Sequence, residues 1–175
     1  MENWQDGDMA AFEELFRKHH RTVFRTAYLM AGSKEEAEDI LQEVFLSVWR
    51  SRGTFDPARS RLSTWLNRIT MNECISDHHG KDKHAISLEG LDFAEPDCRQ
   101  PEEILITKAE YEKLLAALAE MDKKHRAVLV LRYFNDMPYA EIGEALGIPL
   151  GTVKSRLNQG LSCLKEKFAA AESGA

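Results

Sequence analysis

The chain of 175 residues has the length of one large or two small domains, and with 43% hydrophobic and 30% charged residues it is expected to fold. No hydrophobic run approaches the ~18 residues needed to cross a bilayer. The N-terminal segment Met1-Glu2-Asn3-Trp4-Gln5-Asp6 is acidic where a secretory signal is basic and then hydrophobic, which favours a cytoplasmic location. A net charge of −6 at pH 7 predicts weak DNA binding by the chain alone, because cations that neutralise phosphates supply most non-specific affinity.

Hydrophobic residues recur at helical spacing through most of the chain, and no segment alternates as a strand does, which predicts an all-α fold. The first helix is expected from Met9 to Ala31. Ser33 followed by Glu36 forms a capping box for a second helix, whose hydrophobic stripe occupies 37–49. A loop with glycine, proline and serine then separates it from a third helix, which begins near Leu62 and continues into the high seventies.

The helical pattern stops over 81–104, where glycine, proline and acidic residues predict a solvated linker. We therefore expect two small helical domains, over 1–80 and 105–172, that are joined by a flexible acidic linker and move independently. The second domain is expected to hold four helices, beginning near Ile104, Lys123, Pro138 and Pro149.

The second domain has the spacing of a helix-turn-helix. Gly143, Gly147 and Val153 stand at i, i+4 and i+10, which gives a small residue where two helices cross, a glycine in the turn and a hydrophobic anchor. The last helix then presents polar side chains suited to phosphates and to base edges in the major groove. They are Thr152, Lys154, Ser155, Arg156, Asn158 and Gln159. A plain helical hairpin with a solvated face is the alternative, and the glycines and cations together favour DNA binding.

Two further groups of polar residues lie in the first domain. A second stripe on the 37–49 helix combines carboxylates, an amide and an exposed leucine, and it predicts either a docking face for a basic partner helix or a solvated flank. Its members are Asp39, Gln42, Glu43 and Leu46. Cationic and amide side chains around Trp65 are suited to holding single-stranded DNA. They are Arg59, Arg61, Asn67, Arg68 and Asn72. Trp65 itself is expected in the core.

No pattern supports catalysis, a metal or a cofactor. The sequence has no Ser-His-Asp arrangement, no Gly-rich phosphate loop and no zinc hydrolase motif, so the protein is not expected to be an enzyme. His78, His79 and His84 lie close in sequence but match no ligand motif. The three cysteines are widely spaced without a Cys-x-x-Cys pair, and a reduced bystander is the expected role of Cys98.

Three stretches resemble the extracytoplasmic-function (ECF) sigma factors, the smallest members of the bacterial housekeeping sigma family. They are Ala37-Glu-Asp-Ile-Leu-Gln-Glu-Val-Phe-Leu-Ser-Val-Trp49, Leu62-Ser-Thr-Trp-Leu-Asn-Arg-Ile69 with Asn72, and Tyr139-Ala-Glu-Ile-Gly-Glu-Ala-Leu-Gly147 with Gly151-Thr-Val-Lys-Ser-Arg-Leu157. The likeness covers the chain apart from the linker and the last few residues.

The resemblance implies a sigma factor that directs bacterial core RNA polymerase to promoter DNA and is held in check by an anti-sigma factor. The 37–49 helix would dock on the clamp helices of the largest polymerase subunit. The 53–72 segment would melt and read the minus-ten element, and the last helix would read the minus-thirty-five element. Polymerase would then supply the affinity for promoter DNA that the free chain lacks because of its negative net charge. Gln159 stands where the family commonly has arginine, so the promoter sequence is expected to differ.

Two other classes of function stay open at this point. A dimeric helix-turn-helix regulator, with 1–80 as a sensor or dimerisation domain, would bind an operator tightly without polymerase. A helical adaptor whose last helix binds protein would bind no DNA under any condition.

Overall fold

The structure, a computed structural model, describes residues 3–76 and 108–173, which form seven α-helices and two short 3-10 helices. The α-helices are α1 (Met9–Ala31), α2 (Lys34–Arg50), α3 (Leu62–Ile75), α4 (Lys108–Ala119), α5 (Lys123–Tyr133), α6 (Tyr139–Leu146) and α7 (Leu150–Ser173). The 3-10 helices cover Asn3–Asp6 and Arg52–Thr54. Within these two ranges there is no strand, which confirms the predicted all-α class, and no helix long and hydrophobic enough to span a membrane. The predicted linker over 81–104, with His84 and Cys98, and the pair His78 and His79 lie outside the described residues.

The helix ends follow local sequence signals. Ser33 Oγ accepts a hydrogen bond from the Glu36 N–H at 3.3 Å, which confirms the predicted N-cap of α2. Gly32, with φ of 86°, ends α1 in the left-handed conformation that glycine adopts without strain. Helix α3 ends at Ile75, a little before the predicted end.

The N-terminal half is built around aromatic contacts between α1, α2 and the residues that precede and follow them. Phe16 of α1 packs on Phe45 of α2 with ring centroids 4.6 Å apart. Trp4, which is buried, lies against both Phe55 and Trp65, at 6.0 and 5.8 Å between centroids. Trp65 therefore packs against the core, as expected. Gln5 Nε2 donates to the Phe55 carbonyl at 2.6 Å, so the N-terminal residues hold the loop between α2 and α3.

The two halves of the chain, which the sequence predicts to move independently, lie in contact. Helices α4 and α5 pack on α1, and α6 packs on α3. The buried guanidinium of Arg126 donates to the carbonyls of Met30, Ala119 (2.6 Å) and Met121 (2.8 Å). Met30 lies in the last turn of α1 and Ala119 in that of α4, where carbonyls lack helical partners and carry partial negative charge. The composition of the predicted linker does not indicate this contact between the two halves, because the residues that form the contact are distant from one another in sequence.

Helices α6 and α7 cross as the helix-turn-helix spacing predicts. A Cβ added to Gly143 would lie 2.9 Å from the Ile148 carbonyl oxygen, so only glycine fits at the crossing without movement. Gly147 takes a φ of 63° in the turn between the helices. Val153, on the inner face of α7, is fully buried. All three residues have their predicted roles.

The close approach at Gly143 gives a stability prediction. Gly143→Ala should lower the free energy of unfolding by about 1–3 kcal/mol, because the clash is with backbone and a packed crossing must shift. Gly151→Ala is the matched control, since nothing lies within 4 Å of a Cβ there and alanine favours the helix. Urea unfolding followed by circular dichroism compares the two. Equal effects of the two substitutions would show that Gly143 is not needed for the crossing.

Candidate nucleic-acid and polymerase interfaces

The six polar residues predicted on the last helix all lie on α7. Lys154, Ser155, Asn158 and Gln159 are exposed, and Thr152 and Arg156 are half-buried. On the opposite face Val153 and Leu157 are buried and fix the helix to the domain. The structure therefore presents a hydrogen-bonding surface with two cations on a helix held rigidly by α5 and α6.

One of these residues has a partner that the sequence did not indicate. Gln159 Oε1 lies 2.9 Å from His125 Nε2 on α5. On its other side His125 Nδ1 lies 3.5 Å from Asp122 Oδ1. Asp122 caps α5 by accepting from the Lys124 N–H at 2.9 Å, and this hydrogen bond holds the pKa of the carboxyl below its usual range.

A small residue of α7, Gly160, lies beside the His125 contact. A Cβ on Gly160 would lie 3.0 Å from Leu129 Cδ1, so glycine lets α5 and α7 approach closely beside Gln159. The partners His125 and Gln159 are 34 positions apart, and no local pattern links them.

The second, polar stripe on α2 is exposed only in part, whereas the sequence predicts that all of it is exposed. Asp39 and Gln42 are exposed and Glu43 is half-buried, so a polar face is available to a partner. The prediction that Leu46 is exposed is wrong, because its exposed fraction is 7%. Helix α2 packs against both α1 and α3, so its buried face is wider than one hydrophobic stripe.

The third predicted group lies in and before α3. Arg59, Arg61, Arg68 and Asn72 are exposed, whereas Asn67 is only 8% exposed. Asn67 Nδ2 donates to the Ser63 carbonyl at 3.0 Å, and its Oδ1 accepts from Asn135 Nδ2 at 2.7 Å. The structure thus places four of the five side chains on the surface and turns the fifth toward the C-terminal half.

Arg61 also meets the C-terminal half. Its Nη1 lies 3.4 Å from Glu141 Oε1 on α6. No local pattern selects Asn135 or Glu141, because both contact α3 residues that lie about 70 to 80 positions away in the chain.

The described residues hold no group of three or more histidine, cysteine or acidic side chains that is placed to bind a metal ion. Cys74 is buried, and burial, with a contribution from the Glu73 carboxylate, raises the pKa of its thiol to about 12. Because the thiolate is the reactive form, Cys74 is inert at neutral pH in the folded protein.

Comparisons with known families agree with this arrangement. Residues 15–83 match the Sigma-70 region 2 family, and residues 111–164 match the Sigma-70 region 4 family. The first match contains α2 and α3, and the second contains the helix-turn-helix.

Individual relatives cover nearly the whole chain. The ECF RNA polymerase sigma factor SigW of Bacillus subtilis is 32% identical over 171 residues, which are 93% of this chain and 91% of that protein. SigE of Mycolicibacterium smegmatis, also an ECF RNA polymerase sigma factor, is 34% identical over 168 residues, which are 93% of this chain and 65% of that protein.

A solved structure shows the same fold. The sigma factor RpoE of Bartonella quintana, crystallised with the anti-sigma factor NepR, has a TM-score of 0.67 at 19% identity, over 91% of this chain and 97% of that chain. Both sigma regions are matched in order, and a relative above 30% identity is covered almost completely. The chain therefore belongs to the family of ECF RNA polymerase sigma factors.

Proposed function

We propose that this chain directs bacterial core RNA polymerase to specific promoters in the cytoplasm and that an anti-sigma factor restrains it. The observation that carries the proposal is the exposed polar face of α7 on an intact helix-turn-helix. A fixed helix with this surface fits the major groove, where base edges can be distinguished. RNA synthesis itself would belong to the polymerase, so the chain needs no catalytic group or cofactor of its own.

We assign reading of the minus-thirty-five element to α7. Lys154 and Arg156 supply phosphate contacts, which orient the helix, and Ser155 and Asn158 supply hydrogen bonds to base edges. Gln159 is the third candidate for base contact. Because its Oε1 faces His125, its amide N–H groups are the ones left to donate to a base acceptor.

We assign reading of the minus-ten element to the 53–72 segment. The exposed cations Arg59, Arg61 and Arg68 lie within six residues of Trp65 in the chain, Trp65 packs on Phe55, and Asn72 is exposed further along α3. Cations beside aromatic side chains suit a single strand, which has both phosphates and unstacked bases.

We assign polymerase docking to the α2 face of Asp39, Gln42 and Glu43, with Leu46 as a buried residue beneath it. Docking on polymerase would supply the affinity for DNA that the chain lacks by itself, since a chain with a net charge of −6 has little intrinsic attraction for DNA. The anti-sigma factor follows from the family resemblance, and the complex of RpoE with NepR is a precedent on the same fold.

In vitro transcription tests the proposal as a whole. Core polymerase, with and without this chain, is given a fragmented genomic library, and new transcripts should begin at sites that share upstream elements only when the chain is present. Tight binding of the chain to DNA without polymerase would instead support an operator-binding regulator, and no effect on DNA at any step would support a protein-binding adaptor.

Charge reversal on α2 tests polymerase docking. Asp39→Lys should weaken binding to core polymerase about ten-fold or more. The reason is that the substitution replaces attraction between a carboxylate and a basic partner by repulsion between two cations. Glu38→Lys is the matched control, since Glu38 is exposed on the same helix but off the stripe. Fluorescence anisotropy with labelled chain measures affinity, and circular dichroism checks helicity. Equal weakening by both substitutions would remove Asp39 from the docking face.

Substitutions on α7 test promoter reading. Gln159→Ala should relax the preference at one base pair of the minus-thirty-five element, with a loss of roughly 1–3 kcal/mol of discrimination. Arg156→Ala should weaken all promoters alike and flatten the salt dependence, because phosphate contacts carry no sequence information. Transcription from a randomised upstream element separates the two effects. An unchanged preference in Gln159→Ala would exclude it from base contact, and an altered preference in Arg156→Ala would include Arg156.

A further inference from the structure

Gln159 lies on the exposed face of α7 that we assign to promoter reading, and one end of its carboxamide contacts a neighbouring helix. Its Oε1 lies 2.9 Å from Nε2 of His125, in the first turn of α5. A carboxamide oxygen can only accept, so the histidine N–H donates this hydrogen bond. The oxygen of Gln159 is therefore turned toward α5, and its amide N–H groups are left to donate to a base.

His125 is itself held from its other side. Its Nδ1 lies 3.5 Å from Oδ1 of Asp122, the N-cap residue of α5, and its backbone N–H donates to the Asp122 carbonyl at 3.1 Å. The same Asp122 Oδ1 accepts from the Lys124 N–H at 2.9 Å, which fixes the carboxylate to the start of the helix. The imidazole is thus held between two oxygen atoms, one at the N-terminus of α5 and one on the reading helix.

The direction of the carboxamide decides which base a glutamine selects. A glutamine that is free to turn pairs with adenine through both ends of its amide, since the nitrogen donates to N7 and the oxygen accepts from the N6 amino group. With the oxygen held by His125, only N–H donors remain for a base. Guanine then fits best, because its N7 and O6 are both acceptors, whereas the amino group of adenine would face a second donor.

We propose that His125 is a positioning residue for promoter reading, which makes Gln159 a donor-only contact and shifts its preference from adenine to guanine. His125 acts through Gln159 and needs no contact with DNA itself. This inference rests on the proposed function, because it takes α7 to read the minus-thirty-five element. To that function it adds the base that one reading residue selects and the residue of a neighbouring helix that determines the choice.

Base preference in transcription tests the role of His125. Core polymerase and the full-length chain are given promoters with a randomised upstream element. Gln159→Ala identifies the base pair that Gln159 contacts, where the natural chain should favour guanine. His125→Ala should raise the ratio of adenine to guanine at this pair about five-fold or more, which is the lower limit for one good bidentate contact. Lys124→Ala, at an exposed position in the same turn of α5, is the matched control and should leave the ratio unchanged.

Two further variants separate positioning from a general structural effect. His125→Lys should keep the guanine preference, because an ammonium only donates and can replace the histidine N–H, while its charge attracts all promoters alike and cancels in the ratio. The double variant that combines His125→Ala with Gln159→Ala should behave as Gln159→Ala alone, because a residue that acts through Gln159 has no effect once Gln159 is removed. Circular dichroism confirms that each variant is folded.

The contact can also be observed without DNA. In nuclear magnetic resonance spectra of the free full-length chain, the side-chain amide signals of Gln159 should shift in His125→Ala and stay in place in Lys124→Ala. The hydrogen bond from His125 is lost only in the first of these variants.

Four results would overturn the positioning role. They are an unshifted Gln159 signal in His125→Ala, an unchanged base ratio in the same variant, an effect of His125→Ala that persists in the double variant, and a base preference that Gln159→Ala leaves unaltered. Failure of the proposed function is distinct, because the natural chain then gives no promoter-dependent transcripts with core polymerase, whether or not the Gln159 signal shifts. A chain that supports transcription while His125→Ala leaves the ratio unchanged would keep the sigma function and lose the role of His125.

Discussion

A buried cation, Arg126, joins the ends of helices from the two halves, which also share a hydrophobic core. Arg126 is 6% exposed, and burying a guanidinium is costly unless its donors are satisfied. Here three carbonyls accept from its two terminal nitrogens, two of them in or just after the last turn of α4 and one in the last turn of α1, while its Nε has no partner among the described residues. Burial lowers the pKa of Arg126, and the carboxylates of Asp122 and Glu36 act in the opposite direction. Because both helix ends must stay in place to satisfy the charge, α1, α4 and α5 are fixed to one another, and α6 then lies over α3.

Much of the fold could be predicted from sequence because its signals are local. The spacing of hydrophobic residues located the helices, Ser33 marked the start of α2, and Gly143 and Gly147 placed the crossing and turn of the helix-turn-helix. These features depend on residues within one or two helical turns. The exposed residues of α7 followed from the same periodicity, since Val153 and Leu157 fix which face is buried.

The remaining features depend on contacts between distant parts of the chain. Leu46 was expected on the surface, but α2 is covered on two sides, and one helical stripe cannot reveal a second neighbour. Asn67 was taken as free for DNA, while its oxygen is occupied by Asn135. His125 could not be found from the sequence, because it lies beside Gln159 only through the packing of α5 on α7, 34 positions away. Local sequence patterns thus predicted which helix faces are polar, but not which side chains from distant parts of the chain contact them.

The aromatic cluster of Trp4, Phe55 and Trp65 has a consequence for how such chains diverge. Trp4 and Gln5 support the loop that carries Arg59, although neither is among the residues assigned to DNA. Under the proposed assignment of the 53–72 segment to the minus-ten element, a replacement at either position would alter the placement of the loop and with it the melting of promoters. Under that assignment, selection for promoter choice would act on Trp4 and Gln5 as well, and a count of DNA contacts would understate how much of the sequence is constrained.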